Sequence, residues 1–222
     1  MPWPKEHKRN TRERIVEAAA AAFRQHGIAQ VGVADVMRRA GLTHGGFYAH
    51  FASKDDLLAE ALIYASAEAN NMLETPLKND ASAHRLLNAA MTYLSSTHLA
   101  HPERGCPVAL LGPELVRSNE KVRRTLTSEI RRRRKKLHDL TPANVPAETR
   151  REQVAGALAC MVGGLILARG MKESEGLEFL KDCHSFLRRA LANSDTESAG
   201  AGGLRSVVAA TAPPAGIARK SG

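Results

Sequence analysis

Proline placement constrains this chain more than any other feature. Of ten prolines, two lie at each end; the other six, at positions 76, 102, 107, 113, 142 and 146, leave long proline-free intervals rich in Ala, Leu, Arg and Glu. Inside a helix a proline removes a backbone donor and costs about 3 kcal/mol, so prolines collect at boundaries. No run of alternating β-branched residues is present to build a sheet, and the chain reads as all-α. Its 222 residues suit one or two domains with a core that needs no staples. From residue 193 the composition turns to Ser, Gly, Ala, Thr and Pro with little to bury, so 193–222 is expected to be a disordered tail.

Three cysteines, at 106, 160 and 183, cannot form a fully paired disulfide framework, and no CxxC or Cys/His finger spacing occurs. A reducing, cytoplasmic setting is expected, with no structural metal and no cofactor. The first residues are polar and basic with no apolar h-region. The longest purely apolar run, 154–168, has fifteen residues, short of the roughly 18 that a membrane span needs. Neither secretion nor membrane spanning is expected.

The formal net charge of +9 makes an anionic partner such as nucleic acid a natural prior. Its distribution is uneven. Residues 1–54 carry nine basic and four acidic groups, residues 121–136 carry nine and one, and the remainder is net acidic.

In the first third, Asn10 is a candidate N-cap for a helix with Glu13 at its third position and Ile15, Val16, Ala19, Ala20 and Phe23 on one face; Gly27 would end it. A second, short helix is predicted over 33–40, stopping at Gly41. A third, capped by Thr43, carries Phe47 and Tyr48. Ser53, with Asp56 three positions on, opens a longer fourth. Two short helices joined through Gly41, Leu42 and Thr43 fit a helix-turn-helix, in which the second helix enters the major groove.

The stretch 33–57, with Gly41, Thr43, Gly45, Tyr48, His50, Phe51, Ser53 and Lys54 in that order, resembles the DNA-binding domain of TetR-type (tetracycline-repressor-like) transcriptional regulators. The match is close over residues 8–65. The resemblance implies an all-α homodimer: an N-terminal three-helix DNA-binding domain (1–54), then a larger helical domain (55–192) that holds an effector pocket and the dimer interface. It also implies that Tyr48, His50 and Lys54 grip phosphates while Thr43, His44, Gly45 and Gly46 bring the third helix to the bases. A phenol, an imidazole and an ammonium can all donate to phosphate oxygens, and two glycines let backbone approach the duplex. Arg9, Arg12 and Arg38 add charge at the rim. The alternative for Tyr48 and His50 is packing at a domain seam; Phe47 and Phe51 are expected in the core. Three positions depart from the common family pattern: Gly32 where Ser or Thr often caps, Met37 in place of Ala, and Gly46 in place of Thr. The last leaves His44, Tyr48 and DNA shape more of the specificity.

Beyond residue 76, one helix is predicted over 82–99 and another over 119–140 with a stripe of Val122, Leu126, Ile130, Leu137 and Leu140. Between them, Pro107 at a first helical position places Cys106 at the N-cap, where the helix dipole and nearby Arg104 favour a thiolate. Cys106 is therefore either a redox or electrophile sensor or a small buried residue. His98, His101 and Cys106 lack a fourth metal ligand. The six consecutive basic residues from Arg131 to Lys136 must circle their helix, so most form a solvated surface, with DNA attraction or anionic-effector binding as the alternative. The run 154–168 is apolar all round and must be covered. Gly156, Cys160 and Gly164, spaced by four, suggest a close-approach ridge for a second copy, helped by Leu180 and Leu187 on the next helix; an intramolecular core is the alternative.

The function expected is a DNA-binding transcriptional regulator, a repressor released from a palindromic operator by a small-molecule effector or by cysteine modification. Its partners would be double-stranded DNA, a second copy and an effector, with no membrane. The competing reading is a sequence-nonspecific architectural nucleic-acid-binding protein using the 131–136 run. No GxSxG, P-loop, Rossmann glycine or paired-carboxylate pattern is present, so enzymatic activity is not expected.

Overall fold

The computed structural model describes residues 5–78, 80–82 and 84–192; the tail expected at 193–222 lies outside the described residues. Those residues form nine α-helices and two 3₁₀ turns, with no strand among them. Helix α1 (Lys5–His26) starts upstream of its expected cap, so Asn10 sits inside it: the Lys, Glu and Arg residues before it are good helix formers and nothing breaks the turn there. Helix α2 (Val33–Arg39) follows. Gly32 lacks a capping side chain, but its N–H donates to Asp35 Oδ2 at 3.1 Å, which preserves half of a capping box. Gly27 and Gly41 take positive φ, 80° and 69°, and turn the chain after α1 and α2.

The third segment differs from expectation. His44–Ala49 is a 3₁₀ helix, and Thr43 occupies its N-cap position without a side-chain hydrogen bond. Two adjacent glycines withhold the propensity that a short α-helix needs, and a tight 3₁₀ turn needs fewer fixed residues. Helix α3 (Lys54–Leu77) begins as the sequence predicts, with Ser53 Oγ accepting from the Asp56 N–H at 3.1 Å.

Helices α4 (Arg85–Tyr93) and α5 (Ser96–Ala100) replace the single helix expected over 82–99. The break is chemical: Ser95 Oγ accepts from the His98 N–H at 3.2 Å and starts a new helix. A 3₁₀ turn (Pro102–Arg104) leads to α6 (Pro107–Arg117), with Cys106 at its N-cap and Pro107 at its first position. Helix α7 (Glu120–Asp139) is capped by Asn119, whose side chain accepts from the Val122 N–H at 3.0 Å. Helices α8 (Ala147–Arg169) and α9 (Glu173–Ala192) close the described chain. Two prolines depart from the boundary rule: Pro113 lies within α6 and Pro76 in the last turn of α3.

Two apolar cores form. The first joins Ile15, Phe23, Met37, Phe47 and Phe51 to Leu57, Leu58 and Leu62 of α3, and also takes in Leu111, Leu115, Val122 and Leu126 from α6 and α7. The second centres on Tyr93, Leu94, Leu137, Met161, Leu165, Leu180 and Leu187. Helix α3 serves both, so packing does not divide at 54/55.

The seam between the N-terminal helices and the rest is polar and specific. Arg24, 5% exposed, donates to Glu68 at 2.6 Å and to the Gly105 carbonyl at 3.2 Å. Glu114 accepts from the Ala29 N–H at 3.0 Å, and Asn119 donates to Asp55 at 2.7 Å.

Helix α8 bears on two expectations and corrects the second. It extends well beyond 154–168, and by length and composition alone it could cross a membrane; a third of its most apolar stretch is buried within the chain. Its proposed ridge is also not one surface. A Cβ on Gly164 would meet Cys183 Sγ at 3.0 Å and Leu94 Cδ2 at 3.2 Å, whereas Gly156 and Gly163 have open space around them. Residues spaced by four drift about 40° per step on a helix, so Gly156 and Gly164 diverge, and Gly164 turns into the protomer's own core. Leu180 and Leu187 are buried there too, 2% and 1% exposed.

Candidate nucleic-acid interface

At the free end of the first core, Thr43, His44, Gly45 and Tyr48 are exposed on the 3₁₀ helix. Tyr48 is 69% exposed, with its ring edge-on to the buried Phe47 at 5.2 Å. Phe47 in turn stacks on Phe51 at 5.6 Å, so the turn is anchored from beneath while its polar edge faces outward. Gly46 lies against Met37 Cε, where a Cβ would sit 3.6 Å away.

The basic groups divide into those that face solvent and those that hold the fold. Arg9 and Arg38 are exposed and paired only with their helix neighbours Glu13 (3.8 Å) and Asp35 (2.6 Å). Arg12, expected at the rim, is instead a clamp: its Nε donates to Glu60 at 3.1 Å, a terminal nitrogen donates to the His50 carbonyl, and the guanidinium lies 4.1 Å from the centre of the Phe51 ring. Lys54 donates to the Ile28 carbonyl at 2.7 Å. His50 is partly buried with Nδ1 unpartnered; burial, followed by the charges of Lys8, Arg12 and His7, holds its pKa below the ordinary value. Lys8 and His7 were not singled out above, although the basic run 5–9 was the available signal. Arg14, also missed, donates to the Ala40 carbonyl at 2.7 Å.

A separate cavity of about 470 Å³ opens between α3, α6, α7 and α8. Cys106, 3% exposed, lies on its wall with Val108, Ile130, Leu158 and Val162. Arg104 is exposed; Arg169, by contrast, reaches into this region and donates to the His98 carbonyl at 2.6 Å. The 131–136 run also divides. Arg133 is 7% exposed and lines the cavity with Arg134, while Arg132, Lys135 and Lys136 pair with Glu129, Asp139 and Glu74. No metal-binding group of His, Cys, Asp and Glu occurs among the described residues.

His98 pins this region. It is 2% exposed; Nδ1 donates to the Tyr93 carbonyl at 2.7 Å and Nε2 accepts from the Cys106 N–H at 3.1 Å, a pairing open only to neutral imidazole. Burial above all, and then the Arg169 and Arg133 charges, push its pKa to about 4, against a bond to the Tyr93 carbonyl that raises it. The unfolded chain takes up this proton near pH 6.5 and the folded chain does not, so stability should decline as pH falls from about 6.5 to about 4 and level off below, with a slope of at most about 1.4 kcal/mol per pH unit. Denaturant melts across that window should show the decline in the parent chain and a shallower one in His98→Gln.

Residues 15–61 match the family model described as "Bacterial regulatory proteins, tetR family". The N-terminal segment belongs to the TetR family. It is 39% identical over 69 residues to the HTH-type transcriptional regulator TtgR of Pseudomonas putida, a stretch that spans 31% of this chain and 32% of that one. The match thus covers about a third of that relative's length. An uncharacterized HTH-type transcriptional regulator of Mycobacterium tuberculosis is 26% identical over 189 residues, covering 81% of this chain and 93% of the other. The crystal structure of a TetR-family regulator from Cytophaga hutchinsonii shares the fold at a TM-score of 0.73 and 18% identity, covering 84% of this chain and 96% of that one. The match to the family model ends within α3, where the first core also takes in the later helices.

Proposed function

We propose that this TetR-type chain is a homodimeric DNA-binding transcriptional regulator, a repressor that leaves a palindromic operator when a small molecule enters the cavity. The observation that carries the reading is the outward polar edge of the 3₁₀ turn, with Tyr48 69% exposed on a buried aromatic base, inside the segment that matches the family. Thr43, His44 and Gly45 meet the base edges, and Tyr48 and His50 donate to phosphates with Arg9 and Arg38 at the rim. Arg12 and Lys54 act through the fold, by holding His50 and the loop at Ile28.

Release is carried by the seam. Arg24 of α1 holds the Gly105 carbonyl, and the next residue, Cys106, is on the cavity wall. A guest that shifts the start of α6 therefore pulls on α1, and through it on the spacing of the two reading turns. Modification of Cys106 would act at the same point, although any reagent must first enter the cavity to reach a side chain 3% exposed. The architectural alternative is less favoured, because half of the 131–136 run is paired with acidic neighbours and Arg133 is buried.

The dimer surface is the outward side of α8 and α9. Gly156, Ala159, Gly163 and Ile166 follow one another by three or four residues, with Cys160 beside them; Ile166, Leu167 and, on α9, Phe186 are 42%, 54% and 53% exposed. This face replaces the ridge through Gly164. The test is a mobility shift on a palindromic site from DNA next to the coding region, combined with ultracentrifugation. The parent chain should bind as a dimer, with affinity falling steeply as salt rises. Gly156→Leu with Gly163→Leu should keep the fold, weaken the dimer and lose operator affinity by about tenfold or more, since two leucines force the paired helices apart. An unchanged dimer for that folded variant would refute this surface; absence of any sequence preference would refute the regulator.

A further inference from the structure

The cavity holds three polar side chains that the fold leaves incomplete. Asn70, Glu129 and Arg133 are 5%, 5% and 7% exposed, and Asn70 Oδ1, Glu129 Oε2 and Arg133 Nη1 are buried without hydrogen-bond partners. The Arg133 guanidinium lies 5.9 Å from the centre of the Tyr93 ring, but its buried Nη1 has no hydrogen-bond acceptor, and a buried charged donor left without one is costly. Glu129, four residues before Arg133, feels its charge but leaves Nη1 without an acceptor. Its Oε1 lies 3.4 Å from Arg132, and burial raises its pKa, which weakens it as a counter-charge. Arg134 borders the same space and adds to the positive side.

The site is positive on its neighbouring side as well. Asn70 and Arg133 also line a second cavity of about 380 Å³, whose wall carries Lys78, Arg85 and Lys136 against Glu74, which pairs with Lys136, and Asp139; Arg85 Nε is likewise buried without a partner. Across the two walls, which share Asn70 and Arg133, cationic side chains outnumber acidic ones. The rest of the larger cavity is aliphatic, from Val108, Ile130, Leu158 and Val162, with no aromatic ring on its wall.

Resting on the reading of this cavity as the effector site, we propose that it takes an aliphatic carboxylate bearing a hydroxyl or amide N–H close to the carboxylate. The carboxylate accepts from Arg133 Nη1, which completes the buried ion pair. The adjacent donor serves Asn70 Oδ1 or Glu129 Oε2, and the chain lies along the aliphatic wall. An aliphatic ammonium is excluded by charge. An alcohol of equal length gains the wall but leaves Arg133 unpaired, and so binds more weakly.

Calorimetric titration of the full chain with 3-hydroxydecanoate, decanoate, decanol and decylamine tests this directly. The expected order is 3-hydroxydecanoate tightest, then decanoate, then decanol, with no binding of decylamine. Arg133→Met should weaken both carboxylates by about tenfold or more and bring them level with decanol, while Arg133→Lys restores part of the difference. Should Arg133→Met fail to fold, the head-group order in the parent chain decides, together with loss of the 3-hydroxydecanoate advantage in Asn70→Ala. Decylamine binding as well as decanoate, carboxylate affinity indifferent to Arg133, or no binding of any of the four probes would overturn the proposal. Operator affinity, measured alongside, separates the two readings. Carboxylate binding through Arg133 with unchanged DNA affinity supports the ligand class and removes the regulatory role; operator release by decylamine and not by carboxylates keeps the regulatory role and overturns the ligand class.

Discussion

Gly176→Ala should destabilise the protein by about 2–3 kcal/mol, although glycine to alanine inside a helix ordinarily stabilises by about 0.5–1 kcal/mol. The sign inverts because α9 crosses the end of α8 at this point: a Cβ on Gly176 would lie 2.5 Å from the Ala168 carbonyl oxygen, a backbone atom that cannot swing aside. One methyl group must therefore push two helices apart and loosen the contacts of Leu180, Cys183 and Leu187 behind it. For a chain of this size, a loss of that order lowers the melting temperature by roughly 4–12 °C. Thermal melts of the parent and the variant check this, and a Gly176→Ala protein as stable as its parent would mean that α8 and α9 do not cross this closely.

Tyr48→Ala should lower operator affinity by about 10- to 100-fold while leaving the melting temperature within roughly a degree of the parent. A side chain 69% exposed contributes little to the core, and Phe47 and Phe51 beneath it keep their stacking. Arg12→Ala gives the opposite signature. It removes the Glu60 pair, the bond to the His50 carbonyl and the contact over Phe51, so its loss of DNA affinity should come with a measurable fall in stability. Mobility shifts and thermal melts on the same two preparations distinguish a residue that touches DNA from one that positions the residues that do. Equal destabilisation by both variants would place Tyr48 in the seam instead of on the duplex.

Much of this arrangement is local chemistry and was legible in the sequence. Ser53 and Asn119 cap their helices, Gly27 and Gly41 take the left-handed backbone that ends a helix, and Pro107 starts α6 behind Cys106; each depends on a few neighbouring residues. The order of Gly41, Thr43, Gly45 and Tyr48 carries the family for the same reason, since a turn and its flanking helices are built from adjacent positions.

Which way a side chain turned, and what it found there, was decided by tertiary structure. Composition marks Arg12 and Lys54 as available cations, but Glu60, His50 and Ile28 reach them only once α1 and α3 pack together. The split at Ser95 and the neutral pairing of His98 likewise needed Tyr93 and Cys106 to converge. A spacing of four residues in α8 gave no means of telling the inward Gly164 from the outward Gly156, because a helix apolar all round has no polar face to fix its rotation. Leu94 and Cys183 fix it, from helices distant in sequence. In the run 131–136, helical periodicity established that the six charges point in different directions; only the packing of α7 against α3 and α8 determined that Arg133 is the one buried at the cavity, with Arg134 at its border.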